Sequence, residues 1–165
     1  MASGQSYPIQ ILSGEVLIEA LEQPTKLAEL VKKIEEIKEE EARKLLGKTT
    51  KSGFRKIHEQ ITSAIDRAAE ILVPRPGKKI DERDIDTVYF ILAQRLIFVR
   101  YQVVRGQVSE FLAKSVAEMI KHLLKVLDEV KEKKNQESIV RLTRTLESMR
   151  TMMDALMVLV YRFAR

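Results

Sequence analysis

The sequence predicts an all-α fold, a single-domain helical bundle of about five to six helices over residues 1–165. Three observations support this prediction. Apolar residues recur at three- and four-residue steps along most of the chain, and no run combines strand-type alternation with turn residues. The body of the chain has a single Pro/Gly-rich break, VPRPGKK at 73–79. With 165 residues, 45% of them apolar and 32% charged, the chain has the size and composition of one globular domain.

The N-terminal part is expected to contribute little to the core. Residues 1–24 are predicted to be a loosely packed segment in which a short helix over 14–22 ends before Pro24. The next helix is predicted to use Thr25 as its N-cap and to end at Gly47, since glycine takes the left-handed conformation at no steric cost. The other side of this helix is the acidic run EEIKEEE. Its apolar face comprises Leu27, Leu30, Ile34, Ile37 and Leu45.

The middle of the chain predicts two longer helices separated by a loop. The third helix is predicted to begin at Thr49 or Thr50 and to bury Phe54, Ile57, Ile61, Ile65 and Leu72. A loop follows, because Pro74 and Pro76 each prevent a helix from continuing. From Asp84 the sequence TVYFILAQRLIFVRYQVV is apolar on most sides, which is typical of a helix surrounded by others. We therefore predict that it is the central helix.

Two further helices complete the bundle. Gly106 is predicted to break or bend the chain, and the helix after it has an apolar face of Val108, Phe111, Leu112, Met119, Leu123 and Leu127. After the polar connector KEKKNQ, the last helix carries a heptad seam, defined as Ile139, Leu142, Leu146, Met149, Met153, Leu156, Val160 and Phe163. This seam predicts either packing inside the bundle or a coiled-coil contact with another subunit.

Composition excludes several classes of protein. Without cysteine the chain has no disulfide, thiolate metal site or cysteine nucleophile. No apolar run reaches the roughly 18 residues of a membrane helix, and the first residues lack the basic and apolar regions of a secretory signal. We therefore expect a cytoplasmic protein without a membrane partner. Few glycines and plentiful Lys, Glu and Arg favour a thermophilic source.

The sequence gives no sign of catalysis. GKTT at 47–50 resembles the end of a nucleotide-binding loop, but Ala42 stands where that motif needs glycine. Glu118 and His122, four residues apart on a helix, are expected to be a surface pair. A carboxylate cluster at a loop-to-helix junction, Asp81, Asp84 and Asp86, is expected to cap the helix rather than to bind a metal. We expect no catalytic residue, no cofactor and no metal.

The distribution of charge favours nucleic-acid binding. The net charge is −5 over residues 1–41, +7 over 42–79 and +3 over 80–165. Free amides at the start of the third helix, with the hydroxyls of Thr49, Thr50 and Ser52, would attract phosphate. Since aromatic residues are few, contacts should be mainly to phosphate and sugar, independent of base sequence and sensitive to salt. The opposite charges of the first two segments could also pair between neighbouring copies.

Candidate contacts lie on several helices. Gln94, Arg95, Tyr101, Gln102 and Arg105 occupy a polar strip of about 120° on the predicted central helix. The full set of predicted nucleic-acid-binding residues is Lys48, Lys51, Arg55, Lys56, Arg95, Arg105, Lys121, Arg141 and Arg144. An alternative hypothesis is a helical adaptor that docks a protein partner through its heptad seam and acidic helix, without nucleic acid.

Three segments resemble a known family. TKSGFRKI at 50–57 is similar to a Ser-x-x-Arg-Lys-apolar motif at a helix start, and LAQRLIF at 92–98 to a later Leu-x-x-Arg/Lys-Leu motif. MDALMVLVYRFAR at 153–165 is similar to an apolar C-terminal helix with an aromatic and basic tail. Together they resemble the small helical subunit of type III (Csm-type) CRISPR effector complexes, over about 47–165. Gly53, Gln94 and 99–102 depart from the family pattern, as expected of a divergent archaeal relative.

The resemblance implies a specific role. Such subunits cut nothing; they stack in a few copies beside the duplex of CRISPR RNA and target RNA, and in some systems they hold single-stranded DNA. Their partners are the large polymerase-containing subunit, the backbone subunits and further copies of themselves. By this resemblance Arg55, Lys56 and Arg95 match motif positions, whereas the other six candidates come from the charge pattern alone.

Overall fold

The computed structural model describes residues 11–72, 76–77 and 79–165, and this part of the chain is helical without any strand. The all-α prediction is confirmed, with seven helices among the described residues in place of five to six. They are α1 (Gly14–Glu22), α2 (Pro24–Glu35), α3 (Glu39–Leu46), α4 (Lys51–Leu72), α5 (Glu82–Val104), α6 (Glu110–Lys133) and α7 (Gln136–Phe163).

Helices α4 to α7 form an antiparallel four-helix bundle, in which each helix packs on the next and α7 packs back on α4. The pairing of α4 with α7 shows the direction, because Lys51 contacts Arg165 at one end and Asp66 contacts Arg150 further along. The α5/α6 pair has the ion pairs Glu82–Lys134, Asp86–Lys131 and Arg100–Glu110 along its length. Adjacent helices therefore alternate in direction around the ring.

The three N-terminal helices form a layer over one side of this bundle. Helix α1 packs on α6 and α7, α2 packs on α7, and α3 packs on both α6 and α7. Leu12, Leu17, Ala20 and Leu21 are buried. Helix α1 thus contributes to the core, which corrects the expectation of loose packing for this part of residues 1–24. Residues 1–10 lie outside the described part of the chain.

The helix predicted over 25–46 is broken between Glu35 and Glu39. On one straight helix, Ala42 and Leu46 would lie about 120° and 160° around the axis from Leu30. The break lets all three become buried, because α3 is reoriented towards α6 and α7. Packing therefore overrides local propensity here. Helix α2 also begins earlier than expected, with Pro24 in its first turn rather than Thr25 as the N-cap.

Helix α5 is not central, and this prediction is wrong. It packs on α4 and α6 but lies on the side of the bundle away from the N-terminal layer. Its outer surface exposes five large apolar side chains: Tyr89, Phe90, Ile97, Tyr101 and Val104. Phe111 of α6, also predicted on a buried face, is exposed as well.

The heptad seam of α7 lies inside the bundle. Its members from Leu142 to Val160 are buried, and Ile139 and Phe163 are half-buried against the core. Of the two roles predicted for the seam, the structure therefore shows packing inside the bundle. An adaptor that docks through this seam would have to open its own core.

The connection between α4 and α5 contains a turn at Pro76–Gly77, while 73–75 and 78 lie outside the described residues. At its end the side chain of Asp81 accepts a hydrogen bond of 3.1 Å from the backbone N–H of Arg83. This confirms the capping role predicted for Asp81. Asp86 instead pairs with Lys131 at 2.9 Å.

Gly53 on α4 allows the turn between α5 and α6 to approach closely. A Cβ atom at this position would lie 2.7 Å from Gln107 Cβ and 2.8 Å from the Gln107 carbonyl oxygen. Gly53→Ala is therefore expected to lower the free energy of unfolding by about 1–3 kcal/mol, although alanine favours helix formation. Thermal unfolding measures this, with Ser52→Ala at the neighbouring exposed position as the control. A Gly53→Ala protein as stable as the parent would contradict the close approach.

Candidate nucleic-acid interface

The turn from α3 into α4 is held by hydrogen bonds to the turn between α5 and α6. Gly47 ends α3 as predicted and has a positive φ of 52°, but its ψ of −124° lies outside the left-handed helical region that was expected. Thr49, almost fully buried, accepts a hydrogen bond of 2.8 Å from the N–H of Ser109. Thr50 accepts one of 3.0 Å from the N–H of Gly53 and donates to Gln107 Oε1. Both threonine hydroxyls are therefore engaged within the chain, contrary to their expected role as phosphate donors.

The first amides of α4 also have partners. The N–H of Lys51 donates to the carbonyl oxygen of Arg165 at 3.2 Å, and the N–H of Gly53 donates to Thr50. The expectation of free amides at this helix start is wrong for these two groups. These two amides are therefore not available to bind phosphate.

Basic side chains surround this helix start. Lys48, Arg55 and Lys56 are exposed and Lys51 is half-exposed. A groove of about 490 Å³ lies beside them and is lined in part by Arg43, Lys48 and Arg165. Arg43 is paired with Glu39 at 2.8 Å. Arg165 was not among the predicted residues, because its place beside α4 depends on closure of the whole bundle.

Arg95 lies on α5, which runs beside α4, and Arg105 directly follows the last residue of α5. The Nε of Arg95 donates to the backbone oxygen of Gln60 at 2.9 Å, so its guanidinium lies against α4. Burial lowers the pKa of Arg95, which remains a cation at neutral pH because an arginine titrates far above 7. Lys56 lies one helical turn before Gln60 on α4, so Arg95 contacts α4 about one turn beyond Lys56. Arg105 is exposed and its guanidinium lies 5.5 Å from the centre of the Tyr101 ring.

The predicted polar strip on α5 is not continuous. Gln94, Tyr101 and Arg105 are exposed, whereas Arg95 is half-buried and Gln102 is 1% exposed. The side-chain oxygen Oε1 of Gln102 is buried without a hydrogen-bond partner among the described residues. The strip therefore divides into an exposed part and a part that faces the interior.

Three predicted residues lie apart from this region. Lys121 is exposed on α6, and Arg144 is exposed on α7, where it lines a groove with Pro24 of the N-terminal layer. Arg141 is bound to two carboxylates, since it donates to Glu22 at 2.7 Å and also contacts Glu129. Its guanidinium therefore joins α7 to α1 and α6, a structural task that the charge pattern did not reveal.

His122 belongs to the same group of charged side chains as Arg141, Glu22 and Glu129. Its Nε2 lies 2.6 Å from Glu22 Oε1, and its side chain is 5% exposed. It is thus a buried partner of α1 rather than a surface partner of Glu118, which corrects the prediction. Burial alone would raise the pKa of Glu22, but hydrogen bonds from Arg141 and His122 lower it below its ordinary value of 4.5. Glu22 and His122 are 100 residues apart, so no local spacing could have predicted the contact.

The fold and this surface define a class, an all-α up-and-down bundle with an added N-terminal helical layer and a basic face on α4 and α5. None of the described helices is both long and apolar enough to span a membrane. Comparison with protein-family models, with curated proteins and with solved structures found no match.

Proposed function

We propose that this protein is a non-catalytic subunit of a ribonucleoprotein complex and that it binds the backbone of RNA through its basic face. The basic face is defined as Lys48, Lys51, Arg55, Lys56, Arg95 and Arg105. Following the resemblance in sequence, the complex is a type III CRISPR effector active in antiviral defence. The ligands are then the guide and target RNA or a nearby single DNA strand, and the partners are the large and backbone subunits of the effector.

One observation supports this proposal above the others. The hydrogen bond between Arg95 and the Gln60 carbonyl brings Arg95 against α4 one helical turn beyond Lys56, although the two residues come from motifs about 40 positions apart in sequence. The three residues that match family motifs lie on two adjacent helices, with Arg95 on α5 and with Arg55 and Lys56 on exposed positions of α4 about 100° apart around its axis. Glu59 is the acidic side chain nearest to them on α4.

The chemistry of the face favours phosphate over bases. Its donors are ammonium and guanidinium groups on helices, and a guanidinium can bind a phosphate through two parallel hydrogen bonds. Such contacts position a strand without reading its sequence. Binding is therefore expected to fall steeply with salt and to differ little between RNA sequences.

A double substitution on α4 tests the proposal. Arg55→Ala with Lys56→Ala is expected to weaken binding to a short single-stranded RNA by roughly 25-fold near 0.1 M salt, since each lost phosphate contact removes a salt slope of about 0.7. Fluorescence anisotropy at several salt concentrations measures both the affinity and the slope. Circular dichroism and thermal unfolding should be unchanged, because both side chains are exposed.

The matched control removes the same charge elsewhere. Lys32 and Lys33 are exposed on α2, in the N-terminal layer. Replacing both by alanine should leave the salt slope unchanged and alter the affinity much less. Equal weakening by the two double variants would indicate general attraction to net charge and would reject the assigned face.

A further inference from the structure

The outer surface of α5 carries a continuous apolar stripe that nothing in the described chain covers. Phe90, Ile97 and Val104 are 64%, 72% and 76% exposed and stand seven residues apart. Ala93 and Tyr101 lie between them on the same side of the helix. Single exposed apolar residues are common on proteins, but an ordered stripe along almost four turns marks a contact surface.

The spacing of the stripe is symmetric about Ile97. Phe90 and Val104 lie seven residues before and after it, and Ala93 and Tyr101 lie four residues before and after it. A second α5 placed antiparallel with Ile97 against its own counterpart would set Phe90 opposite Val104 and Ala93 opposite Tyr101. Each large side chain would then face a smaller one, as interdigitated helix packing requires.

The charges along α5 agree with the same arrangement. Its first turns carry Glu82, Asp84 and Asp86 with Arg83, a net charge of −2, while its last turns carry Arg100 and Arg105 without an acid. In this register Asp86 of one copy lies within about 5 Å along the axis of Arg105 of the other, whereas Arg100 lies opposite Gln94. The exposed intrachain pairs made by Glu82, Asp86 and Arg100 contribute little and do not prevent this.

We infer that two copies of this chain associate through α5 about a two-fold axis that passes beside Ile97. A self-complementary patch is the defining property of such an interface. This inference rests on other observations than the proposed RNA binding, although Arg105 beside Tyr101 belongs to both surfaces. It also differs from the head-to-tail stacking that the sequence resemblance implies, because both copies use the same surface.

The first test is the mass of the protein in solution without nucleic acid. Sedimentation of the parent chain at increasing concentration should reach twice the monomer mass of 19.0 kDa. Ile97→Asp should remain at the monomer mass over the same range with unchanged circular dichroism and thermal unfolding. Val158→Asp, which places the same charge at an exposed apolar position on α7, should still dimerise. A monomeric parent, or a dimer that survives Ile97→Asp, would overturn the inference.

The second test uses the absence of cysteine to determine the geometry. Ile97→Cys introduces a single thiol beside the two-fold axis and should form a covalent dimer on mild oxidation. Phe90→Cys should not, because antiparallel pairing separates the two equivalent positions by about 21 Å, but a mixture of Phe90→Cys and Val104→Cys chains should. Efficient self-linking of Phe90→Cys would reject the antiparallel arrangement.

Discussion

Glu22→Gln is expected to lower the free energy of unfolding by about 2–3 kcal/mol at neutral pH. Glu22 accepts hydrogen bonds from Arg141 at 2.7 Å and lies 2.6 Å from the Nε2 of His122. It thereby joins α1 to both α6 and α7. Hydrogen bonds to a charged partner that is shielded from water contribute more than neutral ones, and loss of the carboxylate leaves both partners incompletely satisfied. Denaturant unfolding at neutral pH measures the difference.

The pH dependence of stability gives a second readout of the same cluster. Because the folded-state pKa of Glu22 is lowered, its stabilising contribution is fully present above the ordinary value of 4.5. That contribution is lost as the pH falls below 4.5 and through the folded-state pKa. The parent protein should therefore lose stability more steeply with acid than Glu22→Gln. Glu19→Gln on the exposed side of α1 is the control and should match the parent. Equal acid sensitivity of Glu22→Gln and the parent would contradict the assigned role.

Met153→Glu is expected to remove more than about 4 kcal/mol of stability and to abolish cooperative unfolding. Met153 is 0% exposed in the middle of the heptad seam, so the substitution places an unpaired charge in the bundle core. Val158→Glu on the same helix is the matched control, since Val158 is 53% exposed. It should change the midpoint of thermal unfolding only slightly.

This pair of variants also separates the two roles predicted for the seam. If the seam served only to bind another protein, the isolated Met153→Glu chain would fold normally and would lose only its binding to that partner. A well-folded Met153→Glu protein with a native unfolding transition would therefore contradict the intramolecular packing. Loss of folding in Met153→Glu alone, with Val158→Glu intact, agrees with it.

Apolar periodicity was sufficient to predict the helices of the bundle. Where one face is buried and the other is polar, as in α4, the spacing of Phe54, Ile57 and Ile61 identifies the buried side directly. Gly47 was equally informative, because its positive φ is a local backbone requirement that the residue type reveals.

Features that depend on distant contacts were not predictable in the same way. The break after Glu35 has no Pro or Gly to mark it and follows from the packing of Leu46 on other helices. The prediction that α5 is central was wrong because apolar residues on all sides of a helix indicate only that its surface is buried against something. They do not show whether another helix of the same chain or a second molecule buries it. An outer face with Ile97 and Val104 exposed is consistent with cover by a second copy of the chain.

In the candidate site, too, some features could be predicted from local sequence and others depend on distant contacts. A local run of basic residues without acids was enough to find Lys48, Arg55 and Lys56, all of which are exposed. For other predicted residues, contacts with partners more than 50 positions away in sequence determine whether the side chain is free to bind a ligand. Thr49 is bound by Ser109, and Arg141 is bound by Glu22. Those carboxylate and backbone contacts exist only after the helices assemble, so the charge pattern alone could not reveal that Arg141 contacts Glu22 and Glu129.

Photo-crosslinking of a short RNA to the protein, with the linked peptides identified by mass spectrometry, tests the proposed interface most directly. We expect crosslinks in the first three turns of α4, near Arg95 where α5 meets α4, and near Arg105 after the last turn of α5. They should decline as salt increases and be absent from α2, whose lysines provide the internal reference. Crosslinks spread evenly over the surface, or concentrated on the N-terminal layer, would contradict the assignment of the basic face.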